Sequence, residues 1–137
     1  MTVKMAESVI ERIRKHSEAV YPDECCGFLL GSVEEKLSLI KDLWEVENAA
    51  EDSRQKRYLI LPKDFLSADN SSRELGLEII GVYHSHPDQP ARPSIIDQEN
   101  AISHYLYIIL NVTIGHAGEL GGWVFNNEKG FLNVKIS

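Results

Sequence analysis

The run IIGVYHSHP, residues 79–87, constrains this chain more than any other stretch. Its β-branched and aromatic residues fit a central strand. It ends in two histidines one residue apart, and side chains at i and i+2 on a strand leave the same face. His84 and His86 therefore point together where the chain enters the loop DQPARP. Any fold that buries this strand must also provide for a pair of imidazoles at its end.

Around that strand the chain reads as helices and hairpins. Met5, Val9, Ile10, Ile13 and Val20 recur at spacings of three and four among charged residues, the pattern of an amphipathic helix, which Tyr21-Pro22-Asp23 ends. CCGFLLGS is a short apolar run expected as a buried strand, KLSLIKDLWEVEN alternates roughly, and Gly31 to Glu35 are expected to form the turn between them. EDSRQKR is a polar loop, and YLILP a strand that Pro62 stops. PKDFLSADNSSRELGLE opens on proline and carries Phe65, Leu66, Leu75 and Leu77 among good helix formers, so it predicts a second helix. SIIDQENAIS predicts a short helix, YLYIILNV a strand, and GGWVFNNEKGFLNVKIS a terminal hairpin turning at Asn126 to Gly130. Hairpins mixed with helices, in place of strict βαβ alternation, predict an α+β fold with a mixed or largely antiparallel central sheet flanked by helices.

Length and charge narrow the class. A chain of 137 residues with 43% hydrophobic and 26% charged residues has the size and composition of one folded domain, expected to span 1–137. A net charge of -7 argues against a phosphate-binding surface, so no nucleic-acid partner is expected. No stretch has the length of a membrane span and the first twenty residues carry charges throughout, so the expected location is the cytoplasm, away from any membrane. The only cysteines, Cys25 and Cys26, are neighbours, which a disulfide joins only under heavy strain. They fit a reducing compartment and read as small apolar residues entering a buried strand.

The candidate chemistry gathers around the histidine pair. Two imidazoles on one face make a bidentate metal clamp, and catalytic zinc takes three protein ligands, often two His and a carboxylate. Asp97 is the nearest third ligand, provided that the loop holding Pro87, Pro90 and Pro93 folds back over the pair. Ser94 and Asp97 read equally well as a capping box at a helix start, and the two roles are compatible because a carboxylate has two oxygens. A hydrolytic zinc site also needs a base outside the ligand set. Glu24, between a helix-ending Tyr-Pro-Asp and an apolar strand, is either that base or an ordinary solvated carboxylate. Ser85, on the opposite strand face, reads as a packing residue. His16 reads as facing solvent at the end of the first helix, His104 and His116 as structural or solvated, and Trp44 and Trp123 as core or edge aromatics.

Glu24 with CCGFLLG, then HSHP, seven residues, and SIID together resemble the signature of the JAMM metallopeptidases, also called MPN-plus or JAB. YPDECCGFLLG, RYLILPKDFL and HSHPDQPARPSIIDQENA are similar to the small standalone prokaryotic members. The resemblance implies one Zn2+ held by His84, His86 and Asp97, with Glu24 as general base and Ser94 supporting the oxyanion. It also implies a curved central sheet with helices at its sides, of the cytidine-deaminase-like kind. The implied activity is hydrolysis of the amide bond after the C-terminal Gly-Gly tail of a ubiquitin-like or sulfur-carrier protein, the chain's expected partner. A general small-peptide metallohydrolase and a non-catalytic binding scaffold are the alternatives within the same family. An exposed strand edge could take up a substrate tail or a second copy, so a homodimer stays open.

Overall fold

A computed structural model describes residues 1–137. The elements follow one another as β1 (Thr2–Met5), α1 (Glu7–Val20), β2 (Cys26–Glu34), β3 (Leu37–Val46), α2 (Pro62–Glu74), β4 (Glu78–Pro87), α3 (Ile95–Asn100), β5 (Leu106–Thr113), β6 (His116–Asn126) and β7 (Gly130–Ile136). The strands pair in the order β1-β3-β2-β4-β5-β6-β7, and β1 also pairs with β7, so the sheet closes into a barrel. The pairs β2/β3, β2/β4, β5/β6 and β6/β7 are antiparallel, whereas β1/β3, β1/β7 and β4/β5 are parallel. This is the expected α+β fold with a mixed sheet, carried further by closure. No helix is long and apolar enough to cross a membrane.

The central pair β2 and β4 is covered on both faces. Cys25, Leu29 and Tyr83 face a core that includes Val9 and Ile13 of α1, while Cys26, Phe28 and Val82 face a second core with Ala68 of α2. Each fully buried aliphatic or aromatic side chain there contributes roughly 1.5–3 kcal/mol of transfer free energy. Strands buried on both faces read as continuous apolar runs, which is why CCGFLL and IIGVY show no clean alternation. In α1 the buried positions Val9, Ile13 and Ser17 recur every four residues, in line with the helical spacing of the sequence.

Several sequence expectations are corrected. Met5 belongs to β1, paired with Ile40, and the helix starts only at Glu7. Four residues are too few to show alternation against a strong helical period beside them. The β2–β3 turn is Glu35-Lys36, since Glu34 pairs with Leu37. Gly31 lies inside β2, where a Cβ would run into the Leu39 carbonyl. YLILP forms no strand: Leu59 bonds to Ala49 and Asn48, and Leu61 already precedes the first turn of α2. Strand propensity without a neighbouring strand to pair with yields only an extended segment. Helix α2 ends at Glu74, and Gly76 takes φ 71° just beyond it. Its buried positions are Ala68 and Ser72, while Phe65 and Leu66 are exposed.

Candidate metal centre

Strand register places the candidate residues. Cys26 pairs with His84, and Ser85 N–H donates to the Cys25 carbonyl at 3.2 Å, so the same antiparallel step sets Glu24 beside His86. Alternation puts Glu24, Cys26, His84 and His86 on one face. After β4 the chain is pinned before it turns back: Asp88 N–H donates to the Val112 carbonyl at 2.7 Å, and Asn111 Nδ2 to the Gln89 carbonyl at 2.7 Å. Asp88 carboxylate oxygens accept from Tyr21 Oη at 2.7 Å and from Ile114 N–H at 2.8 Å. The loop then delivers Ser94 as the N-cap of α3. Ser94 Oγ accepts from Asp97 N–H at 3.1 Å, and Ser94 N–H donates to Asp97 Oδ2 at 2.9 Å. The capping box is real, and it aims the carboxylate at the histidines.

His84 Nε2, His86 Nε2 and the Asp97 carboxylate converge. The two ring nitrogens lie 3.1 Å apart, His84 Nε2 is 3.1 Å from Asp97 Oδ1, and His86 Nε2 is 3.0 Å from Asp97 Oδ2. A tetrahedral zinc with ligand bonds of about 2.0–2.1 Å separates its ligand atoms by roughly 3.3 Å, close to this triangle. His86 Nδ1 lies 2.9 Å from the Pro90 carbonyl, which only accepts. The hydrogen is therefore assigned to Nδ1, and neutral His86 turns the Nε2 lone pair toward a carboxylate oxygen. Such a meeting of electron-rich atoms calls for a cation or a proton between them. The donor set fits zinc.

The local electrostatics agree. Burial lowers the pKa of His84, against the pull of Asp97. Burial also acts to lower His86, but the hydrogen bonds to Asp97 and the Pro90 carbonyl, with Asp97's charge, win and raise it. Burial opposes ionisation of Asp97, yet the two histidines and Ser94 N–H outweigh it and hold the carboxyl well below its usual range. Glu24 is 3% exposed, and burial pushes its carboxyl up to about 8, with His86 pulling down and Asp97 adding to the rise. Its Oε1 and His84 Nδ1 are buried without a hydrogen-bond partner. Glu24 is thus no solvated carboxylate.

Other expectations divide. Ser85 is buried and packs as expected, its Oγ accepting from Cys25 N–H at 2.8 Å. Cys25 and Cys26 are free, buried thiols, and burial pushes Cys25 up to about 12. His104 and His116 are exposed. His16 does not face solvent: Nδ1 is 2.9 Å from the Tyr83 hydroxyl, on the other side of the sheet from the histidine pair. The sequence reading missed Tyr58, whose ring stacks on His84 at 4.7 Å between centroids, because the aromatic only marked a strand. It also missed buried Asn48, although an Asn between a strand and a polar loop is a turn signal. An apolar groove of about 300 Å³, with Phe28, Tyr58, Ile60, Phe65 and Val82 in its wall, reaches Asp97.

Comparison with known proteins points the same way. A family described as prokaryotic homologs of the JAB domain matches residues 6–127. A desampylase of Haloferax volcanii is 29% identical over 104 residues, 75% of this chain and 73% of that protein. A desampylase of Pyrococcus furiosus is 25% identical over 113 residues, 82% of this chain and 74% of its own length. The solution structure of a Desulfitobacterium hafniense protein has the same fold, with a TM-score of 0.86 over 100% of this chain and 92% of that one at 22% identity. With a family match over most of its length, the chain belongs to the prokaryotic JAB-domain family.

Proposed function

We propose that this protein is a zinc-dependent peptidase or isopeptidase that hydrolyses the amide bond after the Gly-Gly tail of a ubiquitin-like or sulfur-carrier protein. The observation that carries the reading is the orientation of His86. Its Nδ1 is committed to the Pro90 carbonyl, so Nε2 faces the Asp97 carboxylate as an acceptor opposite an acceptor, with His84 Nε2 3.1 Å away. His84, His86 and Asp97 would hold the metal. Zinc on three protein ligands acidifies water and polarises a carbonyl oxygen.

The rest is done by the chain. Glu24, buried on the same face as the two histidines, takes the proton of the attacking water and returns it to the leaving amine; such transfer is worth about 10²–10⁴-fold. Ser94 Oγ already accepts from Asp97 N–H, which leaves its hydroxyl hydrogen to donate to the oxyanion of the tetrahedral centre. Tyr58 covers one side of His84 and keeps water from it. The groove that reaches Asp97 is suited to an extended tail. The two desampylase relatives support the ubiquitin-like substrate class. The chain acts as one catalytic domain, and its acidic charge favours a protein partner over nucleic acid.

The test is hydrolysis of a sulfur-carrier protein extended by one residue past its Gly-Gly end, followed by intact mass, with the zinc-loaded chain beside Glu24→Gln. Loss of the added residue with the unaltered chain, and a rate about 10³-fold lower for the variant at equal zinc content, is the expected result. Cleavage by both would remove Glu24 from the mechanism. Cleavage by neither, at one zinc per chain, would overturn the substrate class.

A further inference from the structure

Glu24 stands outside the β2/β4 ladder, which opens at Cys26 and His84. Its peptide is held from another direction. Glu24 N–H donates to the Arg54 carbonyl at 2.7 Å, and the Glu24 carbonyl accepts from Asn48 Nδ2 at 3.0 Å. The second Asn48 amide hydrogen goes to the Arg57 carbonyl at 3.0 Å, and Asn48 Oδ1 accepts from Ala50 N–H at 3.0 Å and Leu59 N–H at 3.2 Å. A buried amide thus spends two donors and two acceptors on main chain. Arg57 and Leu59 flank Tyr58, whose ring lies on His84.

At its far end the Glu24 side chain has no comparable anchor, because Oε1 is buried without a partner. The place of the carboxylate is therefore decided by the backbone that carries it. We propose that Asn48 is a positioning residue for the reaction described above: one amide ties the strand entry carrying Glu24 to the segment carrying Tyr58, and so sets the base against His84, His86 and Asp97. The inference rests on the peptidase reading. The requirement is specific to asparagine. Aspartate has the shape but no donors, serine has a single hydroxyl, and glutamine is longer by a methylene.

Misplacing a reacting group by about 1 Å costs on the order of 10²-fold in rate. Asn48→Asp keeps the bonds to Ala50 and Leu59 and loses those to Glu24 and Arg57. Asn48→Ser loses most of the set without adding charge beside Glu24, and serves also if the first variant does not fold. The expected result for either is a kcat about 10²-fold lower, KM within about threefold and one zinc retained per chain. Combined with Glu24→Gln, neither substitution should lower the residual rate further, since Asn48 acts through Glu24. Unchanged kcat, or losses that multiply in the double variant, would overturn the proposal.

Amide hydrogen exchange at Glu24 gives a reading independent of turnover. Faster exchange of its N–H in the Asn48 variants, with the β2/β4 amides unchanged, supports the clamp, and unchanged exchange overturns it. If the zinc-loaded unaltered chain does not cleave the extended carrier, the substrate class fails, and the exchange result still decides whether Asn48 holds Glu24.

Discussion

Two sites in this molecule set histidine near a carboxylate, and only one gathers a donor set that fits a metal. His16 projects from α1 with Nδ1 2.9 Å from the Tyr83 hydroxyl and Nε2 3.6 Å from Glu45. Burial lowers its pKa, Glu45 opposing, so the ring is neutral and its partner, a hydroxyl, adapts as donor or acceptor. His86 has no such freedom. Its Nε2 faces His84 Nε2 and a carboxylate that cannot donate, and the Pro90 carbonyl blocks its other tautomer. Burial of a histidine therefore says little by itself; the polarity of the atoms that converge on it decides.

That contrast can be broken in order of expected effect. Asp97→Asn replaces an acceptor pair by one acceptor and one donor, and should weaken zinc binding by more than the roughly 10–100-fold that outer contacts of a metal site are worth. Metal-competition titration checks it, and wild-type affinity would require another third ligand. Ser94→Ala should lower kcat about 10²-fold while zinc stays bound, and lower the melting temperature through the loss of a cap worth about 1 kcal/mol. A variant that lost only stability would confine Ser94 to capping.

Acidity should act on one site and spare the other. Zinc competes with protons for its histidines, and His86 has a raised pKa in the metal-free chain. Zinc affinity should therefore fall as pH drops, starting above the ordinary imidazole range, by about tenfold per unit for each histidine that protonates. Affinity that stays flat from pH 8 to about 5.5 would remove the histidines from the ligand set. The smallest effect at the metal belongs to His16→Phe. It should cost about 1–3 kcal/mol in denaturant melts by leaving the Tyr83 hydroxyl without a partner, yet leave zinc stoichiometry at one per chain. Loss of zinc in that variant would mean that the two sides of the sheet are not separate.

Local pattern carried much of this molecule. The period of α1, the apolar runs of β2 and β4, the hairpin of β6 and β7 and the capping box at Ser94 depend on residues close in sequence, where each spacing has one favourable geometry. The same holds for the pairing of His84 with His86, fixed by the two-residue repeat of a strand. Where sequence reading went wrong, the missing information was a neighbour. Tyr58 to Leu61 has strand residues but nothing to pair with, β1 is a strand because β3 and β7 lie beside it, and Gly31 is required by the Leu39 carbonyl.

The sequence by itself determined the residue types of the site, their order, the α+β class and the resemblance to the JAB family. Only the tertiary structure decided that Asp97 reaches both histidines, that Glu24 is buried, that His16 is not solvated, and that Asn48 and Tyr58 belong beside the centre. The reason is physical. Side-chain direction along one element follows from backbone periodicity, which a sequence displays. Burial, tautomer choice and convergence depend on atoms outside the element that carries the side chain, whose approach is set by the closure of the barrel and by loops pinned through Asp88 and Asn48.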